Sequence, residues 1–314
     1  MPLLLRKSVL AAKLEATVGT DATPGASDAT YNVFNASIEP TPVMEEREGQ
    51  GGFDRLSQVN GARTCKVTFQ TEVQWDGTST EPAWAEAFLP ACGWVKSSQT
   101  YSPKSAATGT TTSDPRSLTI SHYIDGKLRK ATGCVGTFKV TMPAGKRLLF
   151  DWEFMGVWAG ETDASILTPT YVTDTVYKWT SGVCQWNNVD IYASLATIDA
   201  GNVIVMREDP STSSGYLAGI ITDRYPKITI DPEMVLVATQ DREGLWTTGT
   251  EYALELHAGG VTNSKFQFDA PKAQIIKKTV GERNRLAIDQ LEFACNKNGS
   301  TADQSLSITF TAAT

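Results

Sequence analysis

The stretch Gly136–Gly156, GTFKVTMPAGKRLLFDWEFMG, reads as a β-hairpin. A run of Val, Thr and Phe leads into a Gly turn, and a second strand follows with Phe150, Trp152 and Phe154 on one face. A similar phrase returns near the far end, at Ala273–Cys295, AQIIKKTVGERNRLAIDQLEFAC. Each goes strand, a glycine turn with basic residues close behind (Gly145, Lys146, Arg147; Gly281, Glu282, Arg283), then a strand ending Glu153–Phe154 or Glu292–Phe293. The repetition predicts a chain made of two like β units.

The segments around the two hairpins keep the same order. Lys66–Trp75 alternates cleanly, with Val67, Phe69, Thr71, Val73 and Trp75 on one face, as a half-buried strand does. Glu81–Gly93 carries Pro near its start, helix formers, and Gly at its end, the marks of a short helix. Leu118–Gly133 is a hairpin turning at Asp125–Gly126. Beyond a Thr-rich connection, Lys227–Val237 repeats the alternating strand and Arg242–Gly260 repeats the segment around the helix. Lys227 stands 161 residues after Lys66, and Phe293 stands 139 after Phe154. One indel explains the drop, since Ser97–Ser117 is poor in apolar residues and reads as an exposed insertion. The expected division is an N-terminal arm over 1–30, a first β domain over 31–160, a linker over 161–182 and a second β domain over 183–314. Each domain is expected to be a β-sandwich or barrel flanked by one short helix. Thr41–Arg63 mixes Gly, acid and base without a period and is expected to be a long loop held for contacts.

Composition narrows the function. Apolar residues make up 41%, enough for a packed core, and only 20% are charged. A net charge of −7 argues against a protein that grips nucleic acid, which needs clustered cations. Five widely spaced cysteines without a CxxC pair predict free, mostly buried thiols. The N-terminal MPLLLRKS places apolar residues before charges, the reverse of a secretory leader, and no apolar run is long enough to span a membrane. No nucleophile elbow, zinc-helix motif or phosphate loop occurs. The two histidines, His122 and His257, lie in periodic segments and read as core or rim residues. The carboxylates of MEEREGQGGFDR alternate with Arg47 and Arg55, so an ion-paired surface fits better than a glycosidase pair. No catalytic residue, cofactor or metal is expected.

The stretch SLTISHYIDGKLRKATGCVGTFKVTMPAGKRLLFDWEFMG, with LAAKLEATVGTDATPG before it and the closing strands from Lys265, resembles the major tail tube proteins of long-tailed bacteriophages. The resemblance implies a virion protein, made in the host cytoplasm, whose domains surround a channel that DNA traverses and whose loops join stacked rings. With two domains per chain, rings of three chains are expected, a pseudo-hexamer. Expected partners are further copies of itself, the tape-measure protein, and the tail terminator and distal tail proteins. Expected subunit contacts are Leu3, Leu4, Leu5, Glu45, Glu46, Arg47, Phe53 and Arg55; expected channel-lining residues are Gln70, Glu72, Gln74, Asp231 and Glu233. The alternative reading is a carbohydrate-binding or adhesin-like β-sandwich, which would expose aromatic and acidic side chains on its loops.

Overall fold

The computed structural model describes residues 2–78, 80–259, 264–300 and 302–312. It is mainly β. The first half holds β1 (Ser8–Leu14), β2 (Val33–Glu48), β3 (Arg55–Glu72), β4 (Gln74–Trp75), α1 (Ala83–Phe88), β5 (Trp94–Ser97), β6 (Thr100–Pro103), β7 (Leu118–Ile124), β8 (Lys127–Pro143) and β9 (Leu149–Asp163). The rest holds β10 (Thr175–Val176), β11 (Cys184–Trp186), β12 (Val189–Asp190), β13 (Ala193–Asp199), β14 (Asn202–Glu208), β15 (Tyr216–Arg224) and β16 (Lys227–Pro232). After these come α2 (Arg242–Thr248), β17 (Glu251–Gly259), β18 (Lys265–Arg283), β19 (Leu286–Cys295) and β20 (Ser307–Thr311).

One 16-stranded sheet runs through both halves. Its neighbours in the first half run β2-β3-β9-β8, and β7 and then β1 lie beyond β8. In the second half they run β13-β16-β19-β18-β17-β11. The runs meet where Lys139–Pro143 of β8 pairs antiparallel with Leu195–Asp199 of β13. The helices hold like places too, α1 following β3 and β4 and α2 following β16.

Alternation explains why these strands pack. Phe138, Val140 and Met142 of β8 and Phe150, Trp152 and Phe154 of β9 are buried on one face, and Thr137, Lys139, Asp151 and Glu153 turn to the other. Phe69 and Phe88 join Trp152 and Phe154 in a ring-on-ring cluster, with centroids 4.9 Å apart for Phe69–Phe88. Gly136 sits under this cluster because a Cβ there would lie 2.4 Å from the Phe154 ring. The core continues into the second half through Phe266, Phe268 and Phe310, the last on β20, which pairs with both β18 and β6.

Four expectations change. Within the N-terminal arm, Ser8–Leu14 is a strand on β7 and buries Val9, Leu10, Ala11 and Ala12. Thr41–Arg63 is no loop: β2 and β3 stay paired out to Glu48 and Arg55. Both faces of that extension are exposed, so no alternation was required of its residues. Within Ser97–Ser117, β6 buries Tyr101 in the core, and residues 104–114 form the surface stretch. The second hairpin turns at Asn284–Arg285, both with positive φ (51° and 67°), and Gly281 lies inside β18. A two-residue turn needs φ above zero at both positions, which Asn accepts readily.

Candidate assembly and channel surfaces

The polar face of the sheet is continuous across the β8–β13 junction. It carries Lys66, Thr68 and Gln70 from β3, Asp151 and Glu153 from β9, and Lys139 from β8. Asp199, Lys227, Asp231, Lys277 and Glu292 continue it in the second half, and Glu39 flanks it on β2. Three of its lysines are paired in place: Lys66 with Glu153 (2.8 Å), Lys139 with Asp199 (3.1 Å) and Lys227 with Glu292 (2.8 Å). The carboxylates Glu39, Asp151, Glu153, Asp199, Asp231 and Glu292 outnumber Lys66, Lys139, Lys227 and Lys277.

The ion pairs recur at matching register. Lys66, within β3, reaches Glu153, and Lys227, the first residue of β16, reaches Glu292. Glu72, further along β3, meets Arg147 of the β8–β9 turn at 3.0 Å. Glu233 meets Arg283, the last residue of β18, at 3.2 Å, and Arg283 also holds Asp231 at 2.8 Å. Those contacts put Asp231 and Glu233 on or beside the polar face, and Gln70 reaches it by donating to Asp151. Glu72 and Gln74 do not join its open part: both are buried, and Gln74 donates to the carbonyls of Val172 (3.1 Å) and Asp174 (3.0 Å). The segment after β9 folds across that end of β3, a contact that strand alternation does not reveal.

The second surface is the β2–β3 extension, which projects from the sheet. Glu45, Glu46, Arg47, Phe53 and Arg55 are all exposed on it, and Arg55 pairs loosely with Glu46 at 3.5 Å. Exposed Val43, Met44, Leu56 and Val59 accompany Phe53. Leu3, Leu4 and Leu5 are exposed as well, in a segment tied to the β7–β8 turn where the Leu4 amide donates to Asp125 (3.0 Å). Side chains this apolar on projecting segments suit contact with another molecule.

Burial pushes the Cys65, Cys184 and Cys295 thiols up to about 12, and those of Cys92 and Cys134 well up, so they stay protonated. Burial drives His122 down to about 4, with Arg129 adding to the shift. Glu255, His257 and Asp269 lie close together as cross-strand neighbours on β17 and β18, and His257 Nε2 is 2.8 Å from Asp269. Buried Arg242 and Asp289 pair at 3.0 Å beneath α2, a structural contact that sequence pattern missed because both look like surface residues. Among the described residues, no helix is long and apolar enough to cross a membrane.

The family model for phage tail tube proteins matches residues 6–312. The chain belongs to that family, which makes it a structural component of a phage tail that assembles with copies of itself into a tube. No curated protein matches the sequence.

Proposed function

We propose that the chain is a tandem pair of tube domains and that three copies close a ring whose polar sheet face lines the DNA channel. One observation carries this reading. β8 has its edge filled by β13, whereas the corresponding stretch of β18, Thr279–Arg283, has no strand on that side among the described residues. The strand corresponding to β13 is β2, whose outer edge is equally open at Ser37–Glu39. Register along β9 and β19 matches Lys139 with Thr279 and Val140 with Val280; Val140 is fully buried and Val280 is 63% exposed. Pairing β18 of one copy with β2 of the next repeats the internal junction. Pro40 and Pro42 then stop it just past Glu39, because neither has an amide to donate to a strand on the outer edge of β2. Such a head-to-tail contact closes into a ring when its rotation permits. The resemblance to tubes with six domains around an axis makes that three chains.

The excess of carboxylates on the polar face, with three of its lysines already paired, suits passage over capture. Phosphates follow one another every ~1.7 Å of duplex axis, and unpaired cations would hold them. Tape-measure, terminator and distal tail partners, and synthesis in the host cytoplasm, follow from the same reading. The adhesin alternative is weaker because the family model that matches residues 6–312 is that of phage tail tube proteins, and none of the eight tryptophans is exposed for stacking on a sugar. Mass determination of isolated rings, with imaging of the tubes, tests the proposal. A multiple of three chains and a hollow tube are expected, and monomers at all concentrations would refute it.

A further inference from the structure

The segment before β11 sits on the half that precedes it, and this internal contact is a template for the N-terminus. Val176 pairs with Gln74 of β4. The Tyr177 amide donates to Val73 O (2.8 Å), and the Leu148 amide donates to Tyr177 O (3.2 Å). Trp179 exchanges bonds with the β8–β9 turn, donating to Lys146 O (3.0 Å) and accepting from the Gly145 amide (3.0 Å). The contact buries Tyr177 (1% exposed) and Trp179 (8%) against Val73 (0%) and Trp75 (1%).

The second half has the same seat without an occupant among the described residues. The Val73 amide donates to Leu148 O (3.2 Å), and at matching register the Met234 amide donates to Ala287 O (2.9 Å). Here Met234 is 41% exposed, Leu236 is 78% exposed, and Val237 and Leu286 lie open beside them. β1 corresponds to β11, since each is the strand beyond β7 or β17. Bulges at matching positions of the β7–β8 and β17–β18 ladders set Leu10 against Cys184. Counting back from there, Pro2–Leu5 falls where Val176–Trp179 lies, with Leu3 at the place of Tyr177 and Leu5 at that of Trp179. Leu3 is 52% exposed and Leu5 is 72% exposed. Both sides of the missing contact are therefore apolar and open in a single chain.

We infer that Pro2–Leu5 of one copy seats on the neighbouring copy as Val176–Trp179 seats within the chain, with Leu3 opposite Met234 and Leu5 at the Asn284–Arg285 turn, burying Leu3 against Met234 and Leu236 and Leu5 beside Leu286. The inference rests on the ring reading and deepens it: β2 on β18 forms one half of the junction, and the N-terminal segment forms the other. Main-chain bonding supplies the attachment, and the spacing of two between Leu3 and Leu5 supplies the register.

Cross-linking between two variants tests the seat. Leu3→Cys and Leu236→Cys are made in separate chains, each with Cys184→Ser, since the other native thiols are buried. The chains are mixed during assembly and treated with a short bismaleimide, so a product joining one of each arises only between copies. A two-chain band is expected when the reagent is added to assembled protein, and none when it is added after dilution to monomer. Leu3→Asp/Leu5→Asp, altering exposed side chains, should reduce assembled protein at least tenfold while leaving the monomer's melting temperature unchanged. Rings that form normally without the cross-link, or with the double aspartate variant, overturn the seat and leave the ring reading intact. A wild-type chain that never forms rings overturns both.

Discussion

Val280→Pro isolates the edge of β18 from the fold of β18. Arg283 and Leu286 flank the two-residue turn as a hydrogen-bonded pair, so alternation turns the Val280 amide away from β19. Proline there leaves the β18–β19 ladder complete and removes one donor from the open edge. In an assembled junction the change forfeits one bond, ~1 kcal/mol net, and strands the facing carbonyl, a further ~1–3 kcal/mol. A loss of about 3 kcal/mol per junction lowers its association constant by about two orders of magnitude. Sedimentation velocity across a concentration series, with imaging of each sample, reads the threshold for ring formation. Val280→Thr keeps the amide and serves as the control. With three junctions in a closed ring, the proline variant should need about a thousandfold more protein to form rings, with monomer melting close to that of the control. Rings at an unchanged threshold would refute the edge-pairing argument, whatever the monomer does.

Three further outcomes are expected. His122 titrates near 4 in the fold against about 6.5 when unfolded, so the unfolded chain binds more protons between those values. Stability is then complete above about pH 6.5 and falls by up to ~3 kcal/mol as pH drops to 4; His122→Leu should flatten that slope in acid denaturation. Glu15, almost fully buried, accepts from the Gly19 and Gly133 amides (each 2.7 Å), Thr119 Oγ1 (2.8 Å) and Ser117 Oγ. Glu15→Ala should cost ~3 kcal/mol or more by denaturant titration, because several buried donors lose their acceptor together. Asp151→Lys combined with Glu39→Lys should leave tube formation intact but slow DNA ejection from phage carrying the variant; unchanged ejection would count against the electrostatic reading of the channel.

What the sequence disclosed depended on where water lies. β3 and β9 have one wet face and one dry face, so Lys66–Trp75 and Phe150–Phe154 show their alternation openly. Beyond Pro40 and Arg63 the same sheet continues as β2 and β3 wet on both faces, and nothing in Thr41–Arg63 had to alternate. Gly281 marked the second hairpin but not its turn, since Asn284 and Arg285 adopt the left-handed conformation without glycine. Gln74 read as a channel residue from strand parity alone. Its burial comes from Val172 and Asp174, about a hundred residues further along the chain, which no local pattern connects to it. The candidate contacts at Leu3, Leu4, Leu5 and Phe53 were legible because large apolar side chains in a polar context stand out. Their proposed seats were not, since Met234 and Leu236 acquire meaning only beside Val73 and Trp75.

β20 gives the chain a clock. It lays Phe310 against Trp75 (5.4 Å between rings), Trp84 (5.9 Å) and Tyr101 (6.2 Å), all residues of the first half. A ribosome has made α1 and the β8–β9 hairpin long before it reaches Phe310, so the aromatic centre of the first half waits, incomplete, for a residue some two hundred positions later. On a polysome, where many nascent copies crowd together, that delay postpones the finished first half until both halves have been translated.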